Sequence, residues 1–180
     1  MGLLADTMRE MEDSRASTDE RPQIAARVEV RCGHAKDFDP TFALWRRAES
    51  ARRKGPPPSV VVELVLDYAR RSGAFLQVAD SGGEVVGMAL VTPASSRPAE
   101  VAFVRMVFVA PERWGEGIGA KLVAAVLGEA KTRRFERAQL WAHAEDERAR
   151  RLYEGRGFGR TGFRKAGDSG EPIVLYERTL

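Results

Sequence analysis

A single cysteine, Cys32, stands among the 180 residues. It can close no intrachain disulfide, and such sparing use fits a reducing compartment. Cys32 as a nucleophile would need a base. His34 is the near histidine, and both also read as plain surface or structural groups. No run of about 20 apolar residues occurs, so no membrane-spanning helix is expected. The chain does not start with a basic segment followed by an apolar stretch, so no signal peptide is expected. Nor is there a basic block with interleaved aromatics, which argues against nucleic acid as a partner. Arginines alternate with alanines and glutamates, the pattern of solvated helix faces. No internal repeat is visible. These absences leave a cytoplasmic chain with neither membrane nor nucleic-acid partner, and no metal site is expected.

What is present is enough for one domain with a full core: 180 residues, of which 43% are hydrophobic. The net charge of +3 is a mild excess that also suits a polyanionic ligand. Residues 1–27 read as a polar, flexible tail with a short helix at Leu3 to Glu12. Val28 to Cys32 alternates as a first strand. Asp39-Pro40 signals a helix start, with Asp39 as cap and Pro40 at the first helical position. That helix, carrying Phe42, Leu44 and Trp45, is broken by Lys54-Gly55-Pro56-Pro57-Pro58. Ser59 caps a second helix with a stripe of Val62, Val65, Leu66 and Ala69. Ala74 to Ala79 and Glu84 to Thr92 form a hairpin over Asp80-Ser81-Gly82-Gly83. Later strands are expected at Arg137 to His143, Phe158 to Lys165 and Ile173 to Thr179. A helix capped by Asp146 lies between the first two. Strands and helices in this mixed order make an α/β (α+β) single domain.

The chain is organised around Val101 to Ala130. Val101 to Val109 is β-branched and apolar, as a buried strand should be. Ala110-Pro111 ends it. Gly115, Gly117 and Gly119 follow at every second position. From Ile118, apolar residues recur at helical spacing. The turn brings several backbone N–H groups and a helix N-terminus to one place, which is an anion site. It is not a P-loop, because no Gly-Lys-Ser/Thr follows the glycines. It is not the GxGxxG dinucleotide fingerprint either.

This V-x-P, polar link and G-x-G order is similar to the pyrophosphate loop of the GCN5-related N-acetyltransferase (GNAT) family. A second segment sharpens the likeness. Asp146-Glu147-Arg148-Ala149-Arg150-Arg151-Leu152-Tyr153-Glu154-Gly155-Arg156-Gly157-Phe158 resembles the family's N-x-x-A-x-x-L-Y-E-x-x-G-F. The resemblance covers roughly residues 28–180. It implies one acetyltransferase domain with a central, mixed, mostly antiparallel sheet. The sheet should splay between Val101–Val109 and Arg137–His143, with helices on its faces.

By resemblance, acetyl-CoA is the cofactor. The acceptor is expected to be a primary amine of a small molecule, antibiotic-like polyamines included, and the chain a monomer or homodimer. The loop Gly115, Glu116, Gly117, Ile118, Gly119 and Ala120 cradles pyrophosphate, or else it merely lets a helix pack closely. Backbone groups of Val107, Phe108 and Val109 pair with the pantetheine arm. The family's usual Gln or Arg at the loop start is Trp114 here, so a side-chain phosphate contact passes to Arg113 or Lys121. Asp146 replaces the family's asparagine and reads equally as cofactor ligand or helix cap. Tyr153 matches the family's general acid, with a core tyrosine as the alternative. The base is open. The family's strand glutamate falls on Phe103, leaving His143, Glu100 and Glu145, or a water relay. The acceptor side carries Arg105, Arg97 and the helices around Pro56 to Pro58, and Arg105 points to an acceptor with a carboxylate or phosphate. The open alternatives are a non-catalytic acyl-CoA-binding module and a protein or peptide N-acetyltransferase.

Overall fold

The computed structural model describes residues 27–94, 100–167 and 170–180. The tail before Arg27, its expected helix, and Arg97 lie outside the described residues. Seven strands form one sheet: β1 (Val28–Cys32), β2 (Phe75–Ser81), β3 (Glu84–Pro93), β4 (Val101–Val109), β5 (Arg137–His143), β6 (Gly159–Ala166) and β7 (Pro172–Thr179). Their order is β1-β2-β3-β4-β5-β7-β6. The helices are α1 (Phe38–Arg53), α2 (Ser59–Arg70), α3 (Ile118–Thr132) and α4 (Glu147–Glu154).

All neighbouring strands pair antiparallel except β4 and β5, which run parallel. That parallel pairing lasts only from Val101–Phe103 to Arg137–Gln139. Beyond it the strands part, as the V-shaped splay requires. A bulge accompanies the parting. Leu90 of β3 faces Met106, while Val91 faces Val104, so Arg105 is the extra residue. Such a bulge bends the strand and re-aims the side chain.

The sheet has an apolar cluster on each side. Strand residues such as Ala102 and Val104 pack under the α3 residues Ile118, Leu122, Val123 and Val126. Met88, Leu90 and Met106 pack under Leu44 and Trp45 of α1 and Val65 of α2. Trp45 is 2% exposed, so its large ring anchors α1 to the sheet. The Gly82-Gly83 turn has positive φ at both residues, 64° and 93°. That is the conformation a tight hairpin needs, and the Gly83 N–H also donates to Asp80 Oδ1 at 2.7 Å.

Helix α1 begins at Phe38, ahead of the Asp39-Pro40 signal, with Asp37 at the N-cap position but its side chain bonded elsewhere. Its carboxylate accepts two bonds from the Arg31 guanidinium, both 2.8 Å, and one from the His34 N–H at 2.8 Å. Arg31 and the His34 amide hold the Asp37 carboxyl well below the usual carboxylate range, outweighing its burial. Similarly, α2 starts at Ser59 itself without a side-chain cap. A carboxyl with a depressed folded pKa stabilises the fold above its unfolded value and ceases to do so as pH falls. Asp37→Asn is therefore expected to cost about 1–3 kcal/mol at neutral pH. Denaturant titrations of both proteins should show that gap narrowing below about pH 4.

Candidate active site

The parting of β4 and β5 opens a cleft of about 700 Å³. Its walls come from α1, α2, the outer half of β4, the start of α3, the end of β5 and α4. Backbone direction along β4 decides what the cleft meets. The Ala110 N–H donates to Val86 O on β3 at 2.9 Å. Alternation along a strand turns Phe108 the same way, and Val107 and Val109 toward the edge that β5 has left. Phe108 lines the cleft with a side chain packed on the α1/α2 cluster. The Val109 carbonyl on that edge already accepts from the Trp114 indole N–H at 2.9 Å. Val107 keeps both backbone groups on the open edge.

The glycine loop follows directly. Gly115 and Gly117 have φ of 93° and 75°, values that side chains resist. A Cβ on either would meet nothing within 4 Å, so the backbone faces open space. The helix entry closes its first bond from the Lys121 N–H to Gly117 O at 3.1 Å, which leaves the amides of Gly115 to Ala120 without a backbone acceptor among the described residues. Those amides and the start of a 15-residue helix make a positive cradle suited to phosphate. Glu116 does not line the cleft. It clasps Arg113 with bonds of 2.6 and 2.8 Å, so that guanidinium is partly neutralised. Lys121 also lies off the cleft, with its Nζ 3.5 Å from Val28 O.

On the opposite wall, Asp146 Oδ1 accepts from the Ala149 N–H at 2.9 Å and caps α4. The cap sets the helix that carries Tyr153 and Arg148. Arg148 stacks on Trp114 at 4.1 Å, a contact between α4 and the loop that sequence reasoning missed. Tyr153 lines the cleft. Its ring rests edge-on against Phe158 at 6.0 Å, and its hydroxyl has no hydrogen-bond partner among the described residues. Burial first, and the Asp146 charge second, push the phenol above its ordinary pKa.

The α1 side of the cleft holds a second network that the sequence did not reveal. Glu49 of α1 is buried and bound by Arg52 at 2.7 and 3.0 Å and by Arg53. Burial raises its carboxyl, but the two guanidinia prevail and hold it below the usual range. Arg52 also reaches His143 Nε2 at 3.2 Å. A guanidinium only donates, so this contact takes the lone pair that a base at Nε2 would use. Glu100 and Glu145 do not line the cleft, and neither do Cys32 and His34.

The family model described as "Acetyltransferase (GNAT) family" matches residues 38–158. The chain belongs to that family. It is 30% identical over 104 residues to N-acetyltransferase 8B of Mus musculus, covering 57% of this chain and 45% of that one. It is 37% identical over 81 residues to an uncharacterized N-acetyltransferase of Archaeoglobus fulgidus, covering 43% and 55%. The chain thus matches about half the length of these curated relatives. Among solved structures, a ribosomal-protein-alanine N-acetyltransferase from Brucella melitensis has a TM-score of 0.69 at 20% identity, over 84% of this chain and 99% of that one. A PaiA N-acetyltransferase from Thermoplasma acidophilum in complex with coenzyme A has a TM-score of 0.65 at 15% identity, over 86% and 99%. At such identities these likenesses establish the fold.

Gly119 tests how tightly the two walls are coupled. A Cβ there would sit 3.3 Å from Leu152 Cδ2. Gly119→Val should press α4 outward and destabilise the protein by about 1–3 kcal/mol. Calorimetric melting is expected to show that loss, and a full-strength melt would mean that α3 and α4 move freely past each other.

Proposed function

We propose that this chain transfers an acetyl group from acetyl-CoA to the primary amine of a small molecule. One observation carries the reading. Among the described residues, an unpaired strand edge runs straight into a cradle of unbonded amides, and a phenol without a partner stands on the facing wall. Bound acetyl-CoA supplies an activated acyl thioester. The chain's own groups do the rest. The amides of Gly115 to Ala120 hold the pyrophosphate, with the α3 dipole behind them. Val107 offers its N–H and C=O to the pantetheine arm, in the manner of an added strand. Trp114 and Arg148 form the rim of the cradle. Asp146 acts through the α4 cap as a positioning residue.

Tyr153 donates a proton toward the leaving sulfur. With its pKa raised, the phenol stays protonated throughout the neutral and moderately alkaline range. The amine attacks directly, because no activated nucleophile lines the cleft. His143 Nε2 is occupied by Arg52 and the Glu49 carboxylate by Arg52 and Arg53, so neither is assigned the base role. We assign deprotonation of the acceptor to water in the open cleft. This lack of a dedicated base is also the observation that favours the rival reading, an acyl-CoA-binding module without turnover.

Tyr153→Phe separates the two. If the chain is an enzyme, kcat should fall by about 10²–10⁴-fold, while coenzyme A affinity by calorimetry holds. The pH–kcat profile of the unaltered protein should show no tyrosine limb up to about pH 10. Tight coenzyme A binding with no acetylation of any amine or N-terminal peptide would favour the binding module. Absence of coenzyme A binding would refute both.

His143→Gln provides a further check. The base role predicts a loss of about 10²-fold or more in kcat. With Nε2 engaged by Arg52, kcat is expected to stay within a few-fold of the unaltered protein.

A further inference from the structure

The bulge residue Arg105 is the feature of the acceptor end that acetyl transfer alone does not explain. Its guanidinium is half-buried in the cleft, 4.3 Å from the Phe103 ring centre and 4.5 Å from that of Tyr68. Its Nε–H donates to Thr92 Oγ1 at 2.8 Å, which fixes the plane of the fork. Among the described residues no carboxylate pairs with it. Burial lowers its pKa, yet an arginine stays charged. A cation taken partly out of water is costly without a counter-ion. The two aromatic faces, the Tyr68 side chain and the nearby Asp67 charge offset part of that cost, and an anion on the fork would offset more.

The surrounding charges restrict what that ligand is. Only Glu49 and Asp146 contribute carboxylates to the described cleft wall. Glu49 is taken by Arg52 and Arg53, and Asp146 caps α4. Lys165 stacks on Trp141 at 4.8 Å and adds another positive charge. A polycationic amine therefore finds no free carboxylate and meets like charge on the wall.

We propose that Arg105 binds a carboxylate of the acceptor, so that the acceptors are carboxylate-bearing amines of the amino-acid type. The inference rests on the acetyl-transfer reading above. A planar guanidinium matches a planar carboxylate through two parallel N–H···O bonds. Tyr68 and Phe103 shield that pair from water, and the amine end of the acceptor extends along β4 toward Tyr153. Arg105 thus selects the acceptor and takes no part in proton transfer.

The test uses the full chain, acetyl-CoA and matched acceptors: an amino acid, its carboxamide and its decarboxylated amine. Spermidine, phosphoethanolamine and an N-terminal peptide complete the panel. The carboxylate form should exceed its carboxamide in kcat/KM by about tenfold or more, mostly through KM. Arg105→Gln should erase that advantage and leave coenzyme A affinity intact, which also certifies folding. Arg105→Lys should keep part of it. Equal kcat/KM for acid and carboxamide overturns the proposal while leaving acetyl transfer standing. So does a preference for spermidine, phosphoethanolamine or the peptide. Coenzyme A binding with no acceptor acetylated overturns the acetyl-transfer reading, and this inference with it.

Discussion

The site depends on two neighbouring strands that stop pairing in the middle of a sheet. Buried backbone groups almost always find partners, and β4 loses those on one edge after Phe103. The sheet tolerates this because the loss is local. Three paired residues still tie β5 to β4 at its start, and β7 pairs with β5 along all seven of its residues. The bulge at Arg105 turns β4 where the gap begins. Trp114 then satisfies the Val109 carbonyl from the side. What remains is a short run of free backbone around Val107, next to the amides of the glycine loop. A regular seven-stranded sheet would have neither this edge nor the cleft.

Much of this was legible in the sequence, for a physical reason. The elements that build the cleft announce themselves locally: a β-branched run, alternating glycines, and Asp146 three residues before the amide it caps. Backbone functions travel with such patterns, so the loop was readable without knowing its neighbours. Side-chain functions were less so. Glu49 and Arg52 sit in a mixture of arginine, alanine and glutamate that reads as a solvated face, yet Glu49 is 3% exposed. Their link to His143 spans 91 positions, and no local pattern encodes it. The α1 start was misplaced for the same reason. Asp39-Pro40 is a good local signal, but Asp37 is held by Arg31 from a neighbouring strand.

Tyr153 shows how one environment has two effects. Burial raises the phenol's pKa, and the same low-polarity surroundings strengthen any hydrogen bond it makes to a developing charge. A thiol reference pKa of about 8.5 lies below that of tyrosine. Complete transfer of the proton from phenol to sulfur is thus uphill. On the proposed reading, Tyr153 contributes by donating a hydrogen bond as charge builds on sulfur, and solvent supplies the thiol proton as the product leaves.

The missing base has a related electrostatic answer. A primary ammonium has an ordinary pKa near about 10, as lysine does, so at neutral pH little of the acceptor in water is ready to attack. Arg52, Arg53, Arg105 and Lys165 all line the cleft, and the Glu49 carboxylate offsets one of these four positive charges. Like charge disfavours the ammonium form and lowers its pKa. The basic wall thereby raises the fraction of bound amine that is neutral, and water suffices to carry the proton away. A carboxylate on the acceptor resolves the remaining conflict. It is drawn to Arg105 by the same positive field that discharges the amine at the other end. On the proposed reading, one charge distribution both orients the acceptor and prepares its nucleophile, so that a cleft this basic works without a histidine or glutamate beside the thioester.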